Sequence, residues 1–340
     1  FLRGVAMFEI VRIFAQPFGY TADNSHQGIP IHLRYATEPV DPSTVAQVYQ
    51  QIISDLQAAE ADLPESNGNY ATTWAAKGYL AKVYFQMNDF QNAYNKANEV
   101  INSGRFPFDP VLENRFSLQG TTEAVFQLAS TNTTGNAGGN IVNNAGGTLA
   151  GQYRLNPNTN TAQAFLSGDA YAEATAVPAD LRGQKWFIVA ADGLYACNKF
   201  ETSTARNDIW NVPILHITEL KLIRAESAAE LGSNLEVAVQ DLRDIQNRAQ
   251  VSQTSTGASA VNIVIEARRQ RRIELIAEGN RFHELKRIAT ATARNKTIVP
   301  VSNLRIRNAP WDCNGMVCQW PDSELSANPN MRPNPSGGCN

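Results

Sequence analysis

The sequence predicts a mainly α-helical protein, built from tetratricopeptide-like helical hairpins joined to an irregular, loop-rich region with a few short strands. Three observations lead there. Apolar residues recur at three- and four-residue spacing over residues 1–15, 45–63, 74–103, 216–249 and 268–287, the period of a helix that buries one stripe. Asn, Gly and Thr crowd residues 131–160, where no period survives, and such a stretch inside a packed protein is usually a functional loop or a disordered one. Hydrophobic residues make up 43% of 340, enough for a substantial core.

Taken in order, residues 1–15 form an amphipathic helix that ends at Gln16-Pro17, because proline disfavours helix in the residue before it. Asp41-Pro42-Ser43 is expected to cap the next helix, whose apolar face is Val45, Val48, Tyr49, Ile52, Ile53, Leu56, Ala59 and Leu63. A hairpin follows over 74–103, broken at Asn88-Asp89 and closed by Gly104. At an offset of 145 residues, Leu80, Val83, Met87 and Ala93 align with Ala225, Ala228, Gly232 and Ala238 in a second hairpin over 216–249. Two distant copies cannot bury their faces as a free solenoid, so they are expected within a larger helical domain. Residues 123–129 and 194–200 are strand candidates. Residues 268–287 read as one core helix in which Arg271 and Glu274, Glu278 and Arg281, and Glu284 and Arg287 meet at three-residue spacing, and the helical period fades beyond 288.

Several function classes find no support. A net charge of -3 gives no general attraction to nucleic acid. No apolar run reaches the roughly 18 residues of a membrane span. His26, His32, His216 and His283 share no helical face at metal-ligand spacing, and His283-Glu284 lacks the second histidine of a zinc-protease helix. There is no G-x-S-x-G elbow and no phosphate loop, and no opposed carboxylates of a glycoside hydrolase stand out. No metal, cofactor or catalytic role is expected.

The run Glu274-x3-Glu278-Gly279-x-Arg281-Phe282-x-Glu284-Leu285-x-Arg287 resembles the C-terminal signature of the SusD/RagB family of nutrient-binding outer-membrane lipoproteins. Phe8–Phe14 followed by Gly28-Ile29-Pro30-Ile31, then Val48–Leu56, Asp180-Leu181-Arg182, Arg224-Ala225-Glu226 and Gln319–Asn330 are similar to further family landmarks in the same order. Asp322 directly after Pro321 departs from the family's closing motif. The resemblance implies one SusD-like domain over 1–340 lacking its N-terminal part, with hairpins near 43–104 and 211–250, a ligand region near 120–210 and the signature within 265–330. It implies a surface lipoprotein of the Bacteroidetes outer membrane, whose N-terminal lipid anchor is absent from this chain. Its partners would be an oligosaccharide or peptide ligand and a SusC-like TonB-dependent transporter. A tetratricopeptide-like adaptor is the competing reading, supported by the hairpins alone.

The structural signature is then Glu274, Glu278, Gly279, Arg281, Phe282, Leu285 and Arg287. Asn140, Asn143, Tyr153, Arg154 and Tyr171 are the ligand-binding candidates, since ring faces, amides and a guanidinium suit stacking on and hydrogen bonding to a sugar or peptide. The family's oxidising compartment and the turn offered by Asn314-Gly315 predict a Cys313–Cys318 disulfide, and Cys197 and Cys339 are left without an assigned partner.

Overall fold

The computed structural model describes residues 1–34, 38–116, 121–129, 168–189, 195–197, 199, 211–301, 305–306, 309–337 and 339, and these residues are mainly helical. Helix α1 (Leu2–Phe14) leads to β1 (Gln27–Pro30), which pairs antiparallel with β2 (Pro42–Thr44). Pro42 therefore sits in a strand, and the cap of α2 (Val45–Asp62) is Thr44 instead of the Asp41-Pro42-Ser43 group. Thr44 and Gln47 form a capping box, in which the Gln47 N–H donates to Thr44 Oγ1 at 3.2 Å and the Thr44 N–H donates to Gln47 Oε1 at 2.9 Å.

The first hairpin is α3 (Thr73–Gln86) and α4 (Phe90–Asn102). Asn88 turns the corner at φ 58°, and Asp89 then accepts the Asn92 N–H at 3.2 Å as N-cap. Gly104 closes the unit at φ 67°, where a side chain would be strained.

Next come a 3-10 turn (Leu112–Phe116), β3 (Ala124–Leu128), α5 (Gly168–Thr175), α6 (Leu181–Lys185), β4 (Phe187–Val189) and β5 (Tyr195–Cys197). Strands β4 and β5 pair antiparallel, while β3 pairs antiparallel with β6 (Val212–His216), a strand the helical reading of 216–249 did not foresee. The second hairpin is α7 (Ile217–Glu230) and α8 (Leu235–Arg248). Every α7 residue from Ile217 to Ala229 is buried, so α7 is the central post against which α3, α4, α8 and α9 (Ala260–Glu274) pack. One core joins the first hairpin to α1, α2 and α7, and a second lies between α7, α8 and α9. A third, formed by Leu112, Ala174, Trp186, Phe187, Cys197, Ile273 and Ile276, seats the loop-rich region on the end of α9.

The expected helix over 268–287 is two helices. Helix α9 stops at Glu274, Ala277 and Gly279 take φ values of 62° and 76°, and α10 (Arg281–Ala293) restarts the spiral and runs past residue 288. Two left-handed residues so close together end the i to i−4 ladder, and Ala277, an apolar residue of the stretch read as one core helix, is exposed. The tail carries β7 (Arg305–Ile306), paired with β8 (Ala309–Pro310), a 3-10 turn (Asn314–Met316) and α11 (Asp322–Ala327). Trp320 stacks on Phe14 with ring centroids 4.5 Å apart and docks the tail onto α1.

The disulfide joins Cys313 to Cys339, with 5.4 Å between Cα atoms, and Cys318 is a free, exposed thiol. The Cys318 N–H is instead bound to Ile13 O at 3.0 Å, which turns that residue toward α1. Asn334 Nδ2 donates to both Phe14 O (2.7 Å) and Cys318 O (2.8 Å) and folds the end of the chain back over this turn. A Cβ on Gly315 would lie only 2.7 Å from Cys339 Sγ, so that glycine makes room for the bridge and not for a hairpin between Cys313 and Cys318.

Lys286 on α10 is an odd core residue: 1% exposed, its Nζ without a hydrogen-bond partner among the described residues and lying over the Phe282 ring at 4.5 Å. Burial pulls its pKa down to about 8, against the opposing pull of Cys318. An unfolded lysine keeps its proton to about pH 10.4, so between these values the unfolded chain binds more protons and stability rises with pH. Lys286→Met should raise unfolding free energy by roughly 1–3 kcal/mol at pH 7 and lose that advantage above pH 10.4. Urea titrations at the two pH values measure both effects, and a variant less stable at pH 7 would refute the argument.

Candidate functional site

The signature carboxylates face inward across the fold and not along their own helix. Glu274, wholly buried, accepts from Arg115 Nη1 (2.9 Å), Arg182 Nη1 (3.0 Å) and Arg248 Nη2 (2.9 Å). These guanidinium groups come from the 3-10 turn at 112–116, from α6 and from α8. Arg182 is held on its other side by Asp180, the N-cap of α6, at 2.9 and 2.8 Å. Arg248 reaches on to Glu123 at 2.6 Å, and Glu123 in turn accepts from Thr218 Oγ1 at 2.5 Å at the start of α7. Burial alone would raise the Glu274 carboxyl, but Arg248, Arg115 and Arg182 together outweigh it and hold its pKa at about 2.

The break after α9 assigns Glu278 to a second set of partners. It pairs with Lys199 Nζ and accepts from His216 Nε2 at 2.9 Å. His216 Nδ1 accepts the Glu219 N–H at 3.2 Å as the N-cap of α7, which leaves its ring proton on Nε2, facing Glu278. Lys199 also donates to Glu274 O (2.5 Å) and Ile276 O (3.2 Å), capping two carbonyls at the C-terminal end of α9. Burial, with Arg115 nearby, brings Lys199 down to about 8 despite the attraction of Glu278. Burial opposes ionisation of Glu278 too, yet Lys199 and His216 keep its pKa far below the usual carboxylate range.

The other signature residues serve neighbouring contacts. Arg287 donates to Glu226 Oε1 at 2.8 Å, and the same oxygen accepts from Arg268 at 2.9 Å. Arg271 binds Glu219 at 2.9 Å, Arg281 lies 3.8 Å from Glu284, and Leu285 and Phe282 pack with Ala309 and Met316 under the tail. Of the three pairings expected inside one helix, Arg271 with Glu274, Glu278 with Arg281 and Glu284 with Arg287, each is replaced by a contact to another partner.

This arrangement cannot reach a substrate, since nearly all its members are dry and already paired. What it does is mechanical: Arg182 and Lys199 belong to the region near 120–210 and Arg115 to the turn just before it, and Glu274 and Glu278 tie them to the end of α9. The base of the expected ligand region is thereby fixed to the helical core. Asn140, Asn143, Tyr153 and Arg154 lie outside the described residues, and Tyr171 sits on α5, described by its backbone alone. Among the described residues no cluster of His, Cys, Asp and Glu is arranged to hold a metal, and no helix is long and apolar enough to cross a membrane.

Sequence reasoning singled out the carboxylates but missed Arg115, Arg248 and Lys199 as their partners. The available signal was weak: a lone charge beside bulky apolar residues, as at Arg115-Phe116 and Lys199-Phe200.

Two helical hairpins packed around a buried central helix, with Arg115, Arg182 and Lys199 tied to the end of α9, define a mainly helical scaffold. The chain belongs to the SusD family: residues 64–336 match the model described as SusD family, and residues 1–85 match one described as starch-binding associating with outer membrane. It is 25% identical to SusD-like protein P2 of Formosa agariphila, over 99% of this chain and 72% of that protein. It is 31% identical to a SusD-like protein of Bacteroides ovatus over 38% of this chain and 23% of the other. A SusD superfamily protein from Bacteroides thetaiotaomicron superposes with a TM-score of 0.74 at 26% identity, covering 98% of this chain and 76% of that one. One from Bacteroides vulgatus gives 0.73 at 24% identity, a likeness of fold, covering 98% and 75%.

Proposed function

We propose that this protein binds a nutrient glycan at the cell surface, without transforming it, and hands it to a SusC-like TonB-dependent transporter in the outer membrane to which a lipid anchor tethers it. The observation that supports this most is the family match over residues 64–336, joined at residues 1–85 by a model whose description names starch and the outer membrane. The charge network fits such a role. A protein that captures and releases a ligand through loops needs a base that does not move with them, and dry, multiply paired carboxylates supply one.

Recognition is assigned to Tyr153 and Arg154 with Asn140, Asn143 and Tyr171, groups that stack on a sugar face and bond its hydroxyls. Tyr153→Ala should weaken binding of the cognate glycan by more than about 1 kcal/mol in calorimetry, with the thermal midpoint unchanged. Equal affinity in the variant would move recognition elsewhere. Affinity capture from detergent-solubilised outer membranes tests the partner: recovery of a large β-barrel transporter in fixed stoichiometry supports the hand-over, and its absence counts against it.

A further inference from the structure

A second place in the molecule has the chemistry of a sugar subsite, on residues that none of the candidates above includes. The loop between α2 and α3 faces Arg105-Phe106 and β3 across a cleft of about 710 Å³, counted out to its open mouth. Tyr70 stands on this loop with 78% of its surface exposed. The loop presenting it is fixed: the Tyr70 N–H donates to Asn67 O at 3.0 Å and Asn67 Nδ2 donates to Ala71 O at 2.9 Å. Gly68 between them takes φ 58° with open space where a Cβ would be. Thr73 anchors the far end, donating through its backbone to Pro64 O at 3.1 Å and through its hydroxyl to Glu60 O at 2.8 Å. A backbone held this firmly loses little freedom when a ligand stacks on the ring it presents.

The walls suit a neutral, hydroxyl-rich ligand. Arg105 and Glu65 form an ion pair at the rim, so the cleft carries no net field that would select a polyanion. The Arg105 guanidinium also lies over the Trp74 ring at 5.6 Å, with Lys77 at 4.9 Å, which adds a second contact to its pairing with Glu65. On the opposite wall the Gln127 side-chain carbonyl is screened from solvent and accepts no hydrogen bond among the described residues, a deficit that rotation of the amide toward a ligand hydroxyl would remove. A flat face for stacking, a planar donor and an unsatisfied amide are the groups that bind the apolar face and the vicinal hydroxyls of a pyranose.

We propose that the Tyr70 cleft is a saccharide subsite, with Tyr70 stacking on a neutral pyranose ring and Arg105, Asn69 and Gln127 bonding its hydroxyls. This rests on the glycan-binding reading, and one experiment separates the two. The wild-type protein is applied to an array of neutral α- and β-linked oligosaccharides that includes malto-oligosaccharides, and the best binder is titrated calorimetrically into wild type, Tyr70→Ala, Tyr70→Phe and Tyr153→Ala. The expected result is a loss of about tenfold or more in affinity for Tyr70→Ala, with Tyr70→Phe close to wild type and all melting curves superimposable. Unchanged affinity in Tyr70→Ala beside a weakened Tyr153→Ala overturns the cleft and leaves the broader reading standing. A silent array with folded protein overturns both. Retention of extended peptides instead of sugars, lost in Tyr70→Ala, overturns the saccharide assignment.

Discussion

Glu274→Ala is expected to lower the unfolding free energy by about 3–5 kcal/mol, because it strips the shared anion from three guanidinium groups that cannot reach water. Arg115 and Arg182 are 1% and 0% exposed and Arg248 is 5% exposed, so none can turn outward to be solvated without opening the fold. Arg182 retains Asp180 and Arg248 retains Glu123, whereas Arg115 keeps, among the described residues, no carboxylate closer than Glu278 at 3.9 Å, beside the Glu274 backbone carbonyl at 3.1 Å. The same site gives a pH signature. The Glu274 carboxyl titrates near 2 when folded and near 4.3 when unfolded, so its stabilisation is complete above pH 4.3 and is lost as pH falls toward 2. Glu123 and Glu226 are held low by neighbouring arginines and Glu219 by Lys82 and Arg271, and all three add to that slope. Urea unfolding at pH 7, 4.5 and 3 should show wild type losing most of its margin over the lower interval and Glu274→Gln losing less. A Glu274→Ala variant within about 1 kcal/mol of wild type would mean the arginines find other partners.

The second large effect lies where the first hairpin meets the β3–β6 sheet. Leu215 on β6 is fully buried, and its Cδ2 occupies the place where a Cβ on Gly78 of α3 would go. Leu215→Ala should cost about 2–5 kcal/mol through the cavity it leaves above Gly78. Gly78→Ala overpacks the same contact and should cost about 1–3 kcal/mol by itself. The two changes fill and empty one space, so the double variant should be more stable than the sum of the single losses predicts, by about 0.5 kcal/mol or more. Chemical denaturation of the four proteins completes the cycle, and strict additivity would show that helix and strand do not share that volume.

The sequence alone determined what is encoded within a few residues. Of the apolar face expected for α2, Val45, Val48, Tyr49, Ile52, Leu56 and Ala59 are buried as the spacing implies, while Ile53 and Leu63 are half-buried. Asn88-Asp89 supplies both the left-handed corner and the N-cap between α3 and α4, and strands β3 and β5 lie inside the two stretches singled out for them. Tertiary structure decided the rest. Thr44 took the cap of α2 because β1 draws Pro42 into a strand, and Ala277 and Gly279 broke the signature helix where periodicity ran straight through. Glu274 and Glu278 could have been matched to arginines three residues away, yet Glu274 is bound by Arg115, 159 residues distant, and Cys313 by Cys339, 26 residues away. The physical reason is range: side-chain spacing and caps are fixed by backbone geometry over one or two turns, whereas a buried carboxylate or thiol takes whichever partner the packed helices bring within about 3 Å of it. Only the folded chain sets that distance.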